Sequence, residues 1–232
     1  MRLRYILIHR EAIMDFEFIK EYYPLYVEAA KITISIAAIS IILALIIGIL
    51  VGMVNYYKVP VLRRICSIYV ELSRNTPLLI QLFFLYFGLP KIGIVLSSEQ
   101  CAIIGLTFQG GSYMANAFRG GLENIKKSQE ESALSLGMTK RMTFFEIILP
   151  QGIIISIPAI CANVIFMIKE TSVFSVVALA DLMYVAKDLI GMYYNTNEAL
   201  LMLVISYLII LLPISIIFSL IERRVRHAAF GD

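Results

Sequence analysis

The sequence predicts an all-α, polytopic membrane protein with five transmembrane helices. Hydrophobic residues make up 59% of its 232 residues and charged residues only 16%, and the mean hydropathy is +0.83. One soluble core of this length does not need so much apolar surface. Five apolar runs approach the roughly 20 residues that a helix needs to cross a bilayer. They cover residues 29–54, 66–88, 100–118, 147–168 and 199–221.

The N-terminal segment, residues 1–28, precedes the first run and carries more charge. Between residues 11 and 27 its apolar side chains recur at roughly helical spacing, with acidic residues between them. This pattern suits a helix that lies in the membrane interface. A simple lead-in to the first span is the alternative, and the pattern does not decide between the two. With the five runs, this segment makes residues 1–232 a single transmembrane domain.

Basic residues flank the apolar runs unevenly and so predict the orientation of the chain. Most lie after the first run, after the third run and at the C-terminus: Lys58, Arg63, Arg64, Arg119, Lys126, Lys127, Lys140, Arg141, Arg223, Arg224 and Arg226. We expect these regions in the cytoplasm and the N-terminus outside. The exceptions are Arg2, Arg4, Arg10 and Lys20. A net charge of +3 is too small to indicate a nucleic-acid partner.

A sixth apolar stretch, residues 173–180, is too short to span a bilayer and is bounded by Lys169, Glu170 and Asp181. Irregular backbone is tolerated at membrane depth only where it packs on protein or lines a cavity. We therefore expect a short helix or a re-entrant piece in this place.

A polar segment, residues 119–146, separates the third and fourth runs and is expected in the cytoplasm. Residues 128–136 are mostly good helix formers, and Gly137 permits a tight change of direction. Thr139 can cap a second helix that runs toward Glu146. The prediction is a helix, a turn and a helix. Such a segment in an apolar chain indicates a surface that receives a soluble partner.

No catalytic or metal-binding constellation is recognisable in the sequence. The GxxxxGK phosphate loop is absent, His9 and His227 stand apart, and the three cysteines lack CxxC spacing. We expect a protein that is not an enzyme and that holds no metal or cofactor. If ATP drives it, ATP and Mg²⁺ belong to a partner subunit.

The polar segment resembles the EAA loop of ABC importer permeases. That loop reads Glu-Ala-Ala, three residues, Gly, nine residues and Ile-x-Leu-Pro. Six residues of this chain fall in register: Glu131, Ala133, Gly137, Ile147, Leu149 and Pro150. Ser132 replaces the first alanine with another small residue.

Three further segments narrow the resemblance to the polar amino acid permeases of the histidine and glutamine type. Residues 74–77, Arg-Asn-Thr-Pro, are similar to that group's Arg-Gly-Thr-Pro segment, with Asn75 in place of Gly. Residues 112–121 and residues 169–172, Lys-Glu-Thr-Ser, look like two more of its signatures. Together the matches extend over nearly the whole chain.

The resemblance implies the type I ABC importer permease fold, with cytoplasmic coupling helices, in the cytoplasmic (inner) membrane of a prokaryotic cell. It also implies two ATP-binding cassette subunits, a second permease copy in a homodimer or heterodimer, an extracytoplasmic amino-acid-binding protein and an amino acid substrate. Contact with the ATPase subunits is then assigned to four residues: Glu131, Ser132, Ala133 and Gly137.

Polar side chains inside an apolar run are costly and therefore informative. Gln109, Ser112, Tyr113 and Asn116 follow a spacing of three, four and seven residues, which places them on one face of a helix. This face is a candidate wall of a translocation path, and hydrogen bonding between helices is the alternative. The resembling permeases commonly carry Glu where Asn116 stands, so the amide here disfavours cationic cargo.

Two other places are candidates for the substrate path. Thr76 precedes Pro77, where a kink or a helix start is expected. Arg74 beside it is expected to pair with Glu71 or another acid, or to lie at the inner interface. The second place follows the fourth run, where an interrupted helix could offer polar groups to a zwitterion. It comprises Lys169, Glu170, Thr171 and Ser172. A plain helix-ending turn is the alternative for this second place.

Three functions compete at this point. The leading hypothesis is the permease subunit of an ATP-driven, binding-protein-dependent importer for polar amino acids. An ion-coupled secondary transporter or channel would need its own acidic residues in the membrane, and the runs offer few beyond Glu71. A membrane scaffold would not need the polar face on the third run.

Overall fold

The structure is a computed structural model that describes residues 14–230, with side chains as far as residue 225. Every regular element in this part is a helix. The predictions that concern Arg2, Arg4, His9 and Arg10, and the side chains of Arg226 and His227, lie outside the described residues.

The first helix, α1, covers Phe16–Tyr57 without a break. Asp15 caps it by accepting hydrogen bonds from the amides of Glu17 and Phe18, both at 3.0 Å. Residues 16–28 are therefore the first turns of α1 and do not form a separate helix, and their position in the membrane interface stays a prediction. The helix ends at Lys58, whose φ of 53° lies in the left-handed region.

The second apolar run is not one helix, and this corrects the single span expected over residues 66–88. Helix α2 covers Pro60–Asn75, Thr76 is extended, and α3 begins at Leu78 and covers Leu78–Phe83. Pro77 has no N–H to continue the first helix, and it forces the residue before it into an extended conformation. The chain then widens into a π-helical turn, Phe84–Gly88, and tightens into a 3-10 turn, Leu89–Ile92.

Helix α4, Ser98–Glu123, is the centre of the fold. It packs along α1 on one side and on α6, Leu149–Glu170, on the other. The α1 contact is close because Gly48 leaves no side chain where the Met114 backbone approaches. Small residues of this kind let helices approach closely in a membrane.

The connection between α4 and α6 contains α5, Lys127–Ser135, and a short helical turn, Lys140–Met142. A π-helical turn over Thr143–Ile148 then leads directly into α6. The expected helix, turn and helix is confirmed. The second helix, however, continues into the next long helix instead of ending near Glu146.

A second core joins the start of α1 to the last two helices. The expected short helix near 173–180 is a 3-10 helix, Thr171–Val177, and α7, Leu182–Tyr193, and α8, Thr196–Phe230, follow it. The hydroxyl of Tyr26 donates to the carbonyl of Ala199 at 2.7 Å. These contacts tie the two ends of the described chain together.

Three helical segments are long and apolar enough to cross a membrane: Phe16–Tyr57, Lys140–Val177 and Thr196–Val225. Helix α4 has 26 residues but carries the polar face, and the apolar segment Leu78–Ile92 is shorter than a span. The all-α membrane fold is confirmed, and the count of five spans stays a prediction.

Candidate functional site

The turn after α5 depends on a glycine. The amide of Met138 donates to the carbonyl of Ala133 at 3.1 Å, and the amide of Gly137 donates to the carbonyl of Leu134 at 3.0 Å. These are the two hydrogen bonds of a Schellman motif, which requires a left-handed residue after the helix. Gly137 supplies it with a φ of 84°.

The chain is capped again immediately after this turn. The hydroxyl of Thr139 accepts a hydrogen bond from the amide of Met142 at 3.2 Å, as the sequence predicts. Phe144 and Ile148 then pack in a buried cluster with Leu122 of α4 and against Tyr56 of α1. The turn Thr143–Ile148 is thus packed onto the ends of α1 and α4, and α5 contacts this turn.

The four candidate coupling residues do not share one environment. Glu131, Ser132 and Gly137 are exposed, whereas Ala133 is buried and faces the protein. Ala133 is therefore a packing residue in this chain, and only the other three can touch a partner directly. The structure adds Leu136, whose side chain is 84% exposed. A leucine in an otherwise polar segment is the sequence signal that could have identified it.

The polar face on α4 divides into two halves. Gln109 and Ser112 are buried, and the Ser112 hydroxyl donates to the carbonyl of Gln109 at 2.7 Å. It also accepts a hydrogen bond from the hydroxyl of Ser73 on α2 at 3.0 Å. Ser112 therefore bonds between helices, whereas the side-chain oxygen of Gln109 is buried without a partner among the described residues. Neither residue lines the cavity that Asn116 lines.

The other half, Tyr113 and Asn116, lies toward a polar cavity of about 200 Å³. Asn116 lines this cavity, and its side-chain nitrogen is buried without a partner among the described residues. Arg74 lines it as well and stacks over the Tyr113 ring, 5.4 Å from its centre. An unsatisfied buried amide is expensive. Gln109 also has an unpartnered buried side-chain atom, but only Asn116 lines the cavity, where a ligand could satisfy it.

The expected pairing of Arg74 with Glu71 is wrong within the part of the chain that the structure describes. Glu71 instead accepts a hydrogen bond from the side-chain amide of Asn75 at 3.1 Å. Both charged side chains line the polar cavity without forming an ion pair. The cavity is lined by four basic side chains and two carboxylates, with no ion pair among the described residues, and by the unpaired amide of Asn116: Lys58, Arg63, Arg74, Arg119, Glu71 and Glu123.

Thr76 lies at the helix break and not in the polar cavity. Its hydroxyl donates to the carbonyl of Leu72 at 2.7 Å, which satisfies it locally. The sequence reasoning missed Gln81, whose side-chain amide bridges the break by donating to the carbonyls of Ser73 and Thr76. Its position one helical turn after Pro77 could have indicated this role.

The group at residues 169–172 is separate from the polar cavity, since none of its four members lines it. Lys169 is exposed, and Glu170 and Ser172 are half-buried. Thr171 is buried and bonds locally to the carbonyl of Ile168 at 2.8 Å and to the hydroxyl of Tyr207 at 3.2 Å. Thr171 thus links the end of α6 to α8, and a role of residues 169–172 in the substrate path stays a prediction.

The sequence is similar to those of known permeases over most of its length. It is 34% identical to the probable amino-acid permease protein YxeN of Bacillus subtilis (strain 168), over 90% of this chain and 95% of that one. It is 39% identical to the probable glutamine ABC transporter permease protein GlnP of the same organism, over 69% and 73%. The glutamine transport system permease protein GlnP of Escherichia coli (strain K12) is 29% identical, over 88% and 94%.

Solved structures share the fold. A crystal structure of an amino acid ABC transporter with histidines superposes with a TM-score of 0.86 at 29% identity, covering 91% of this chain and 99% of that one. An inward-facing MetNI methionine ABC transporter gives a TM-score of 0.70 at 21% identity, over 87% and 96%, which supports the fold alone. Residues 44–227 match the family described as binding-protein-dependent transport system inner membrane component. The chain belongs to this family of ABC importer permeases.

Proposed function

We propose that this permease is the membrane-spanning subunit of an ATP-driven importer that receives a polar amino acid from an extracytoplasmic binding protein. The observation that carries the proposal is the helix α5 with its glycine turn, which exposes Glu131, Ser132 and Leu136. Helix α5 contacts the turn Thr143–Ile148, and that turn packs on the long helices and continues into α6. Relatives named as amino-acid and glutamine permeases support the cargo class.

The proposed mechanism is alternating access driven by two ATPase subunits, each docked under one α5 of a permease pair. ATP and Mg²⁺ would be held in those subunits. Buried Ala133 and Phe144 fix α5 and the following turn against the bundle, so a displacement of α5 is passed to α4 and α6. Motion of packed helices as rigid units is the usual way in which such a displacement opens one side of a site.

The polar cavity is the proposed inner part of the path. Arg74 and Glu71 offer both signs of charge, which complement the carboxylate and ammonium groups of a zwitterion. Asn116 offers a neutral amide with no partner among the described residues. This chemistry favours a cargo with a polar, uncharged side chain over a cationic one.

Reconstitution tests the proposal against a transporter driven by an ion gradient. The permease is placed in proteoliposomes with an ABC ATPase and an amino-acid-binding protein from the same organism, and uptake of labelled glutamine is followed. We expect uptake only when ATP, the ATPase and the binding protein are all present. Uptake driven by a proton or sodium gradient without the ATPase would contradict the proposal.

A further inference from the structure

A second cavity, of about 580 Å³, lies where the ends of α1 and α4 meet the start of α5. Five basic side chains line this basic cavity: Lys58, Arg119, Lys126, Lys127 and Lys140. None of them forms an ion pair with any residue between 14 and 225. Glu123 and Glu130 also line it, so five positive charges face two negative ones.

The N-terminus of α5 adds to this positive field. Lys126 occupies the N-cap position, and no side chain caps the helix. Ser, Thr, Asp or Asn is usual at an N-cap because its oxygen accepts hydrogen bonds from the first-turn amides. The amide of Gln129 donates to the carbonyl of Lys126 at 3.0 Å. The other amides of the first turn have no side-chain cap, and they and the positive end of the helix dipole can face an external anion.

The inner wall of the basic cavity is apolar. Leu122, Phe144 and Ile148 are buried there and form one cluster. Tyr57 also lines the cavity, is 45% exposed, and ends a helix long enough to cross a membrane. Tyrosine is enriched at the level of the lipid headgroups. Cationic and apolar walls together at this level match a phosphate group attached to an apolar body.

We propose that the basic cavity binds a phosphate group, for which an anionic phospholipid headgroup and a free phosphate ion are the two available sources. The apolar inner wall favours the lipid. A volume of about 580 Å³ lies within the range of roughly 300–1,000 Å³ that is usual for small-ligand pockets. The site goes beyond the transport function proposed above, although its lining shares Lys58, Arg119 and Glu123 with the polar cavity, so its test measures retained phosphate and not uptake.

Lipid retention tests the site. The full-length permease is reconstituted in nanodiscs of phosphatidylglycerol and phosphatidylcholine, and retained phosphatidylglycerol is counted by native mass spectrometry as its fraction is titrated. The double variant Arg119→Gln and Lys126→Gln, here called the cavity variant, should retain phosphatidylglycerol about fivefold more weakly for each cation removed. Arg64→Gln with Arg223→Gln removes two exposed charges outside the cavity and should retain phosphatidylglycerol as the unchanged protein does.

A variant that should strengthen lipid retention keeps the proposal testable if the cavity variant misfolds. Glu123→Gln removes a negative charge from the same cavity and should strengthen retention about fivefold. Unchanged retention in Glu123→Gln, or equal losses in the cavity variant and the Arg64 and Arg223 control, would overturn the proposal.

Dialysis against labelled inorganic phosphate in lipid-free detergent separates the two sources. The site would be assigned to soluble phosphate if one phosphate binds saturably, if the cavity variant loses this binding, and if nanodiscs show no preference for phosphatidylglycerol. If both probes bind the variant as they bind the unchanged protein, and only assembly with the ATPase is lost, the cations serve a protein partner and the proposal fails.

Discussion

The side-chain amide of Gln81 donates a hydrogen bond to the backbone carbonyl of Ser73, 3.1 Å away across the helix break at Pro77. It also donates to the carbonyl of Thr76 at 2.9 Å. Pro77 has no N–H to offer the first carbonyl, and the break leaves the second without its helical donor. Gln81 supplies both carbonyls with a donor and so stabilises the interrupted helix.

Gln81→Met should therefore destabilise the permease. The variant keeps the side-chain volume but leaves the carbonyls of Ser73 and Thr76 without a donor, which costs about 1–3 kcal/mol each where they are dry. Loss of the unpaired Oε1 of Gln81 offsets part of this cost. We expect a lower thermal unfolding temperature in detergent. Gln151→Met, which removes a bond to a carbonyl inside a continuous helix, should change it much less.

The same region shows which parts of the structure could be predicted from the sequence. Apolar runs locate the long helices because burial in lipid requires an uninterrupted apolar segment: the run at 100–118 lies within Ser98–Glu123, and that at 147–168 nearly coincides with Leu149–Glu170. The presence of Pro77 alone predicts that the helix is kinked or interrupted there. The role of Gln81 needs the three-dimensional path of the chain across the break, which no periodicity contains.

The candidate site was predictable to a lesser degree, for a physical reason. Helical spacing places Ser112 and Asn116 on one face, but only the neighbouring helices decide what that face meets. Ser112 meets the Ser73 hydroxyl of α2, while Asn116 lines the polar cavity. The same holds for Ala133: its position in the EAA-like segment does not reveal that its side chain is buried.

Gly137→Ala should weaken coupling to the ATPase without a steric clash. A Cβ at this position would meet no atom of the described chain within 4 Å, so the effect comes from the left-handed backbone. That conformation costs a residue with a Cβ about 1–2 kcal/mol. We expect substrate-stimulated ATP hydrolysis by the purified complex to fall about fivefold or more, with the permease still inserted in the membrane.

Two variants make the Gly137 experiment specific to backbone conformation. Gly120→Ala also places a methyl group where no described atom lies within 4 Å, but on a helical backbone, and should retain stimulation. Gly137→Asn should recover part of it, because asparagine tolerates the left-handed region. Equal stimulation in Gly137→Ala and Gly120→Ala would show that the Schellman turn does not contribute to coupling.

Asn116→Glu should move cargo preference toward cationic amino acids. The change places a carboxylate in the polar cavity, where Arg74 will neutralise part of its charge. We expect the ratio of arginine to glutamine uptake to rise about tenfold, equivalent to about 1.4 kcal/mol. Asn163→Asp is the matched control, because Asn163 bonds the carbonyl of Tyr113 and does not line the cavity. An unchanged ratio in Asn116→Glu would remove Asn116 from the path.

Asp181 makes the stability of the permease depend on pH. Its Oδ1 caps α7 by accepting a hydrogen bond from the amide of Tyr184 at 2.9 Å, and its Oδ2 is buried without a partner in the described chain. Burial raises the pKa of this carboxyl from 3.8 to about 6, although the bond from Tyr184 opposes the rise. The folded protein therefore favours the protonated acid, and the associated stability is complete below about pH 3.8 and lost as the pH rises through about 6.

Asp181→Asn should remove this pH dependence and raise stability at neutral pH. Asparagine is also a good N-cap, so the bond to Tyr184 can persist while the buried charge disappears. A pKa difference of about two units corresponds to roughly 3 kcal/mol, which is measurable as a shift in thermal unfolding temperature between about pH 4 and pH 7. The exposed Asp188→Asn serves as the control and should leave the profile unchanged. Parallel profiles for Asp181→Asn and the unchanged protein would mean that this carboxyl is ionised at no cost in the folded state.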